Sequence, residues 1–236
     1  MDELTKRFVG AYNAIDSFLR RTCKEGAQET FSRLVTKTAT ANKAVHFYAQ
    51  DLREYADLRN AILHGYREDE PIATPLAKTV KELENIRDKV LSPPKVITLF
   101  SAKVAFCDPD DHIGIVTKQM FQTKFSQIPV YRDKKLEALL TTDTIVRWLA
   151  ESLAHDGGVL DEAPVQAVLK HAEYSDNYQL LDPSDTVFDV IECFDDYQHH
   201  GKRLDAIIIS QVRSKKNSPL GIITAFDTPK LYESLH

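Results

Sequence analysis

The run Asp108-Pro109-Asp110-Asp111 returns 74 residues later as Asp182-Pro183-Ser184-Asp185, and the same order of patterns follows each copy. An amphipathic helix comes first, then a β-branched strand, a turn and a second strand. The second strands close as Leu139-Leu140-Thr141-Thr142-Asp143-Thr144 and as Ile222-Ile223-Thr224-Ala225-Phe226-Asp227-Thr228. Two such copies cannot each bury a sheet alone, so they must pack against one another. Strands are expected at 103–106, 127–131, 135–140, 178–181, 205–210 and 219–224, and helices at 111–123, 142–154, 185–199 and 227–235. Val187, Val190, Ile191 and Phe194 form a complete apolar helix stripe. The Asp or Ser residues of each Asp-Pro motif are expected to cap the helix that follows, with proline tolerated at its start.

Upstream of the repeat, the pattern is helical until Ser92-Pro93-Pro94, where consecutive prolines stop a helix and push the preceding residues toward extended backbone. Leu4, Phe8, Ala11, Ile15, Phe18 and Leu19 define a helix over 4–24, and helices are also expected at 28–40, 44–64 and 75–91. Four helices with short connections predict an up-and-down bundle. The chain therefore divides into a bundle at 1–92 and repeats at 97–155 and 164–236. The fold class is α+β: a helical bundle followed by two β-α-β-β-α repeats.

Charge is distributed unevenly along the chain. Residues 1–95 carry +2 and the remainder −7, so the C-terminal part is a poor surface for a phosphate backbone. RNA contact is expected only through 1–92. Cys23, Cys107 and Cys193 are scattered, without metal-ligand spacing, which predicts reduced thiols and no metal site. No apolar run is long enough for a membrane span and the N-terminus lacks a signal core, so a cytoplasmic protein is expected.

The repeats resemble a pair of CBS domains. The resemblance rests on Ile128-Pro129-Val130, on the Asp-Pro motifs, and on Gly221-Ile222-Ile223-Thr224-Ala225-Phe226-Asp227, which resembles the nucleotide-site pattern of that family. It implies a dimer that binds an adenine nucleotide such as AMP, ADP or ATP, with no further cofactor. The residue chemistry is compatible with this. Asp227 can accept two hydrogen bonds from vicinal ribose hydroxyls, and Thr224 can serve ribose or phosphate. Gly221 permits close approach of a ligand or a neighbouring strand. Ile207, Ile209 and Ile223 are available as apolar walls, and Lys202 and Arg203 as phosphate cations. In the first repeat the corresponding residues are Thr141, Asp143 and Thr144, with Ala138 in place of the glycine. Thr and Asp at such a junction also serve as ordinary helix caps, and cations at a helix end also meet its dipole. Trp148 is expected in the core or a dimer interface.

Arg59-Asn60, His64 and Tyr66 in the bundle resemble the active-site motif of HEPN domains, many of which are metal-independent ribonucleases. The resemblance implies a product with a 2′,3′-cyclic phosphate. His64 would act as general acid or base, Arg59 would stabilise charge on the phosphate, Asn60 would orient His64, and Tyr66 would contact the RNA. Arg59 and His64 lie about 140° apart on an ideal helix, so they converge only if the helix loosens or two subunits contribute. The same residues also read as a helix end closed by His64-Gly65.

Three functions remain open on sequence. The leading one is a regulatory protein sensing an adenine nucleotide, with the bundle as output and dimerisation domain. The others are a ribonuclease using His64 and Arg59 under control of the repeats, and a ligand-free dimeric scaffold.

Overall fold

The structure is a computed structural model that describes residues 2–24, 28–64, 66–67, 70–155 and 162–235. It is α+β and divides into two compact units. One comprises Met1–Pro94, Thr186–Glu192 and Pro229–His236; the other comprises Lys95–Asp185 and Cys193–Thr228.

The helical unit is built on α1 (Glu3–Cys23), α2 (Phe31–Ala39), α3 (Lys43–Phe47), α4 (Ala49–His64) and α5 (Ala77–Leu91). Asp2 starts α1 by accepting a hydrogen bond from the Thr5 amide at 2.8 Å. The predicted stripe of α1 is buried at Phe8, Ala11, Ile15 and Leu19, and α1 packs against α2, α4 and α5, where Leu34, Leu52 and Leu83 are fully buried. Outside that core, Arg7 grips Glu84 with two bonds of 3.0 and 2.6 Å. Short strands β1 (Tyr66–Arg67) and β2 (Glu70–Pro71) pair antiparallel after α4.

The single helix expected over 44–64 is instead two. Asn42 caps α3 through the Val45 amide at 2.9 Å, and Tyr48 leaves helical geometry before α4 begins. The Tyr48 ring is buried edge-on to Phe47 and Phe188, with centroids at 4.9 and 5.8 Å. Its hydroxyl donates to the Leu235 carbonyl at 3.3 Å. The Tyr48 amide still donates to the Ala44 carbonyl and its own carbonyl accepts from the Leu52 amide, at 3.1 and 2.9 Å, so the break is a change of backbone angles at Tyr48.

The α/β unit contains α6 (Val96–Phe100), α7 (Ile113–Thr123), β3 (Gln127–Arg132), β4 (Lys135–Thr141), α8 (Thr142–His155) and α9 (Val165–Leu169). It continues with β5 (Tyr178–Leu181), α10 (Val187–His199), β6 (Ala206–Ile209), β7 (Gly221–Ile223) and α11 (Thr228–Glu233). The first half of α10 and all but the first residue of α11 belong to the helical unit. In the first repeat, β3 and β4 form an antiparallel hairpin whose turn residues Asp133 and Lys134 both take left-handed backbone, at φ 49° and 65°. In the second repeat, β5 runs parallel to β6, and β6 antiparallel to β7.

The strand expected at 103–106 does not form. Its pairing is reduced to one parallel bridge between Cys107 and Val130, while the Ala102 amide donates to the Leu220 carbonyl at 3.2 Å. Burial pushes the Cys107 thiol up to about 12, with Asp111 and Asp108 adding to the effect. The expected capping by the Asp-Pro motifs also needs correction. Each motif forms a turn ahead of its helix: Asp108 Oδ1 accepts from the Asp110 amide and Asp182 Oδ1 from the Ser184 amide, at 3.0 and 2.9 Å. Asp111 and Asp185 then close the turns by accepting from the Asp108 and Asp182 amides at 2.8 and 2.7 Å. The cap position of α7 falls to His112, without a side-chain bond.

The two repeats share a core in which Tyr131, Leu136 and Leu139 meet Tyr178, Ala206 and Ile208. Trp148 packs in a second cluster with Cys107, Ile128 and Val165, so it is a core residue. No described helix is long and apolar enough to cross a membrane, and no described cluster of side chains could hold a metal ion.

Candidate functional site

A cavity of about 360 Å³ opens between the repeats beside the end of β7. Thr224 and Asp227 line it, positioned by a 3-10 turn over Ala225–Asp227 that joins β7 to α11. The Thr224 amide and hydroxyl both donate to Asp227 Oδ2, at 2.8 and 3.1 Å. No hydrogen bond or ion pair from the described residues reaches Oδ1 of Asp227, leaving one carboxylate oxygen as an acceptor for a ligand. The cavity has the volume of a small-molecule site.

The structure redistributes the other expected site residues. Ile207, Ile209 and Ile223 are fully buried within the β6–β7 pairing and do not line the cavity. Val104, Pro129 and Ile222 supply its apolar walls. Strand alternation explains the exchange, because Ile222 faces opposite to Ile223. Gly221 is used for close approach, but by protein: a Cβ there would collide with the Phe100 carbonyl oxygen.

Lys202 and Arg203 are both engaged by carboxylates. Lys202 lies 2.9 Å from Asp176 and Arg203 lies 2.6 Å from Asp205, and neither lines the Asp227 cavity. The cations that do are Lys103 and Lys124, which come from the first repeat and form no ion pair with a described residue. Sequence reading missed both. The signal available was the duplication read crosswise: Lys124 stands after α7 and before β3 as Lys202 stands after α10 and before β6. Here the motif of each copy faces that loop of the other.

A second cavity, about 270 Å³, is lined by Thr141, Thr142, Arg203 and Asp205, and shares Ser126, Gln127, Thr224 and Phe226 with the first. Its motif residues are turned inward. Thr141 and Thr144 bond hydroxyl to hydroxyl at 3.0 Å and are buried. Asp143 lies outside the lining and accepts from Arg147 Nε at 3.0 Å, while Arg147 also pairs with Glu173. Asp205 accepts from Arg203 and from Asn177, at 2.6 and 2.7 Å. This half of the cleft therefore offers no unpaired carboxylate corresponding to Asp227.

In the helical unit, Arg59 donates to the Asn60 side-chain oxygen at 3.3 Å and its guanidinium lies over the Tyr12 ring, 5.7 Å from the centroid. His64 ends α4 and Tyr66 starts β1, but their side chains lie outside the described residues. A larger cavity of about 620 Å³ in this unit sets Asp51 and Glu82 against Lys78 and Lys81, so its lining favours neither sign of charge.

Comparison with known proteins places these features in context. The CBS domain family model matches residues 96–151. Among solved structures, the chain is similar to CBSX2 in complex with AMP, at 10% identity and a TM-score of 0.45, covering 60% of this chain and 98% of that one. It is also similar to the CBS domain pair of protein MJ0100 in complex with 5′-methylthioadenosine and S-adenosyl-L-methionine, at 14% identity and a TM-score of 0.44, covering 61% and 99%. A third is a CBS domain-containing protein from Bacillus anthracis, at 20% identity and a TM-score of 0.43, covering 59% and 92%. Comparison with curated proteins returned no match.

Proposed function

We propose that the chain is a homodimeric regulatory protein that senses an adenine nucleotide in the Asp227 cavity. The observation that carries this reading is Asp227 itself: Oδ2 is held by Thr224, and Oδ1 has no described protein partner beside a ligand-sized space. With Oδ2 committed to the capping box with Thr224, Oδ1 is left to accept from a ribose hydroxyl. Val104, Pro129 and Ile222 give the base an apolar bed, and Lys103 and Lys124 give phosphates a cationic one. The chain leaves the α/β unit for the helical unit between Thr228 and Pro229, directly after Asp227. A ligand that binds two packings of the repeats unequally would shift their populations, with the helical bundle as output.

Thermal unfolding of the full chain with AMP, ADP or ATP tests the reading. A nucleotide at 100 times its Kd should add about 2.7 kcal/mol, and Asp227→Asn should remove most of that gain. No stabilisation by any of the three would overturn the proposal.

The bundle enters as an output element rather than as a nuclease because Arg59 and Asn60 bond to each other and Arg59 packs over Tyr12. Incubation with labelled single-stranded RNA in chelator checks that choice. Cleavage that disappears in His64→Ala would restore the enzyme.

A further inference from the structure

We propose that the cavity lined by α4, α5 and Leu235 in the helical unit binds a small zwitterion, an amino acid with an apolar side chain, holding its ammonium at Asp51 and its carboxylate at Lys81. The proposal does not rest on the Asp227 reading, because every residue lining this cavity belongs to the helical unit. Its volume of about 620 Å³ is ample for a ligand of that size. The rings of Tyr48 and Tyr55, with the side chains of Ile86 and Leu235, give such a ligand an apolar bed.

The polar groups of the lining divide into those already engaged and those left over. The Tyr48 hydroxyl and the Asn85 side-chain amide both donate to the Leu235 carbonyl, at 3.3 and 2.7 Å, and fix the C-terminal segment as one wall. Glu82 takes the Lys78 ammonium at 3.6 Å and the hydroxyl of Tyr55. Asp51 and Lys81 remain, one of each sign, and neither forms an ion pair with a described residue. Burial raises the Asp51 carboxyl, and the charges of Glu54 and Glu82 add to the effect, so an ammonium placed there relieves a crowd of carboxylates. A lone anion drawn to Lys81 would face those acids, and a lone cation drawn to Asp51 would face Lys78 and Lys81, which lie one turn apart on α5. A ligand carrying both charges meets each with its opposite. Asp51 and Lys81 are exposed, so exchanging either leaves the core of the bundle intact.

Calorimetric titration of the full chain with L-leucine, L-phenylalanine, L-phenylalaninamide and N-acetyl-L-phenylalanine tests the proposal. The amide lacks the carboxylate and the acetyl compound lacks the ammonium, so each should bind more weakly than free phenylalanine. Asp51→Asn should weaken phenylalanine and its amide about three- to tenfold and leave the acetyl compound unchanged. Lys81→Gln should weaken phenylalanine and the acetyl compound by a similar factor and spare the amide. Asp227→Asn should leave all four titrations as they are. Equal affinity for phenylalanine and its two derivatives, or losses that ignore which charge the ligand carries, would overturn the proposal. So would no binding of either free amino acid, a result that leaves the reading of the Asp227 cavity standing.

Discussion

Gly221 and Phe100 meet so closely that the glycine's missing Cβ would overlap the Phe100 carbonyl oxygen. The glycine of the motif thus serves the join between β7 and the segment after α6. Its neighbour in the same strand, Ile222, lines the cavity.

Gly221→Ala must therefore displace backbone rather than a flexible side chain. The expected cost is about 1–3 kcal/mol, in the range of overpacked core positions. Urea unfolding of the two proteins measures it, and equal midpoints would contradict the contact.

Phe188 is nearly fully buried in the helical unit, with its ring 5.4 Å from Phe47 and 5.8 Å from Tyr48 by centroid. Phe188→Ala should cost about 3–5 kcal/mol of stability, the scale of a buried phenyl deletion. Differential scanning calorimetry would report it as a lowered Tm.

The same turn of α10 carries a pH response. Burial raises the Asp189 carboxyl, but the Lys43 ammonium 2.6 Å away and the Thr186 hydroxyl and amide outweigh it, holding the group below the ordinary aspartate value. Burial lowers Lys43, and its pairing with Asp189 and Glu192 more than compensates, so it titrates above the ordinary lysine value. The depressed acid contributes stability above its unfolded pKa, and that contribution is lost as pH falls through the folded value. The raised base contributes below its unfolded pKa, and its share is lost as pH rises through the folded value. Unfolding free energies measured from pH 2 to 11 should fall less steeply at both extremes in the Lys43→Met, Asp189→Leu double variant.

Asp143 and Asp227 occupy neighbouring places in the two motifs but differ in their partners. Asp143 is paired with exposed Arg147 and does not line either cavity of the cleft. Asp143→Ala should change stability by less than about 1 kcal/mol, and it should leave the nucleotide-induced Tm shift intact. Loss of that shift would transfer the ligand to the first repeat.

On α8, Val146, Leu149 and Leu153 are exposed along one side, while Trp148 on another side joins the core. An apolar stripe of this kind is where the proposed dimer is expected to form. Val146→Glu with Leu153→Glu should convert the proposed dimer to a monomer in light scattering at unchanged Tm of the α/β fold.

The amino-acid sequence by itself determined the element plan, because periodicity and punctuation are local properties. Strand 178–181 forms over the expected residues, α1, α5, α7 and α8 lie within two residues of expectation, and the duplication brought the two repeats onto one core. Thr224 and Asp227 were legible because Gly221–Asp227 resembles the nucleotide-site pattern of CBS domains. What only the tertiary structure decided is long-range: which cations face Asp227 and which isoleucine faces the cavity. Each depends on groups brought together across the fold, such as Lys103 and Lys124 beside Asp227, and no local pattern records a neighbour that arrives from more than a hundred residues away.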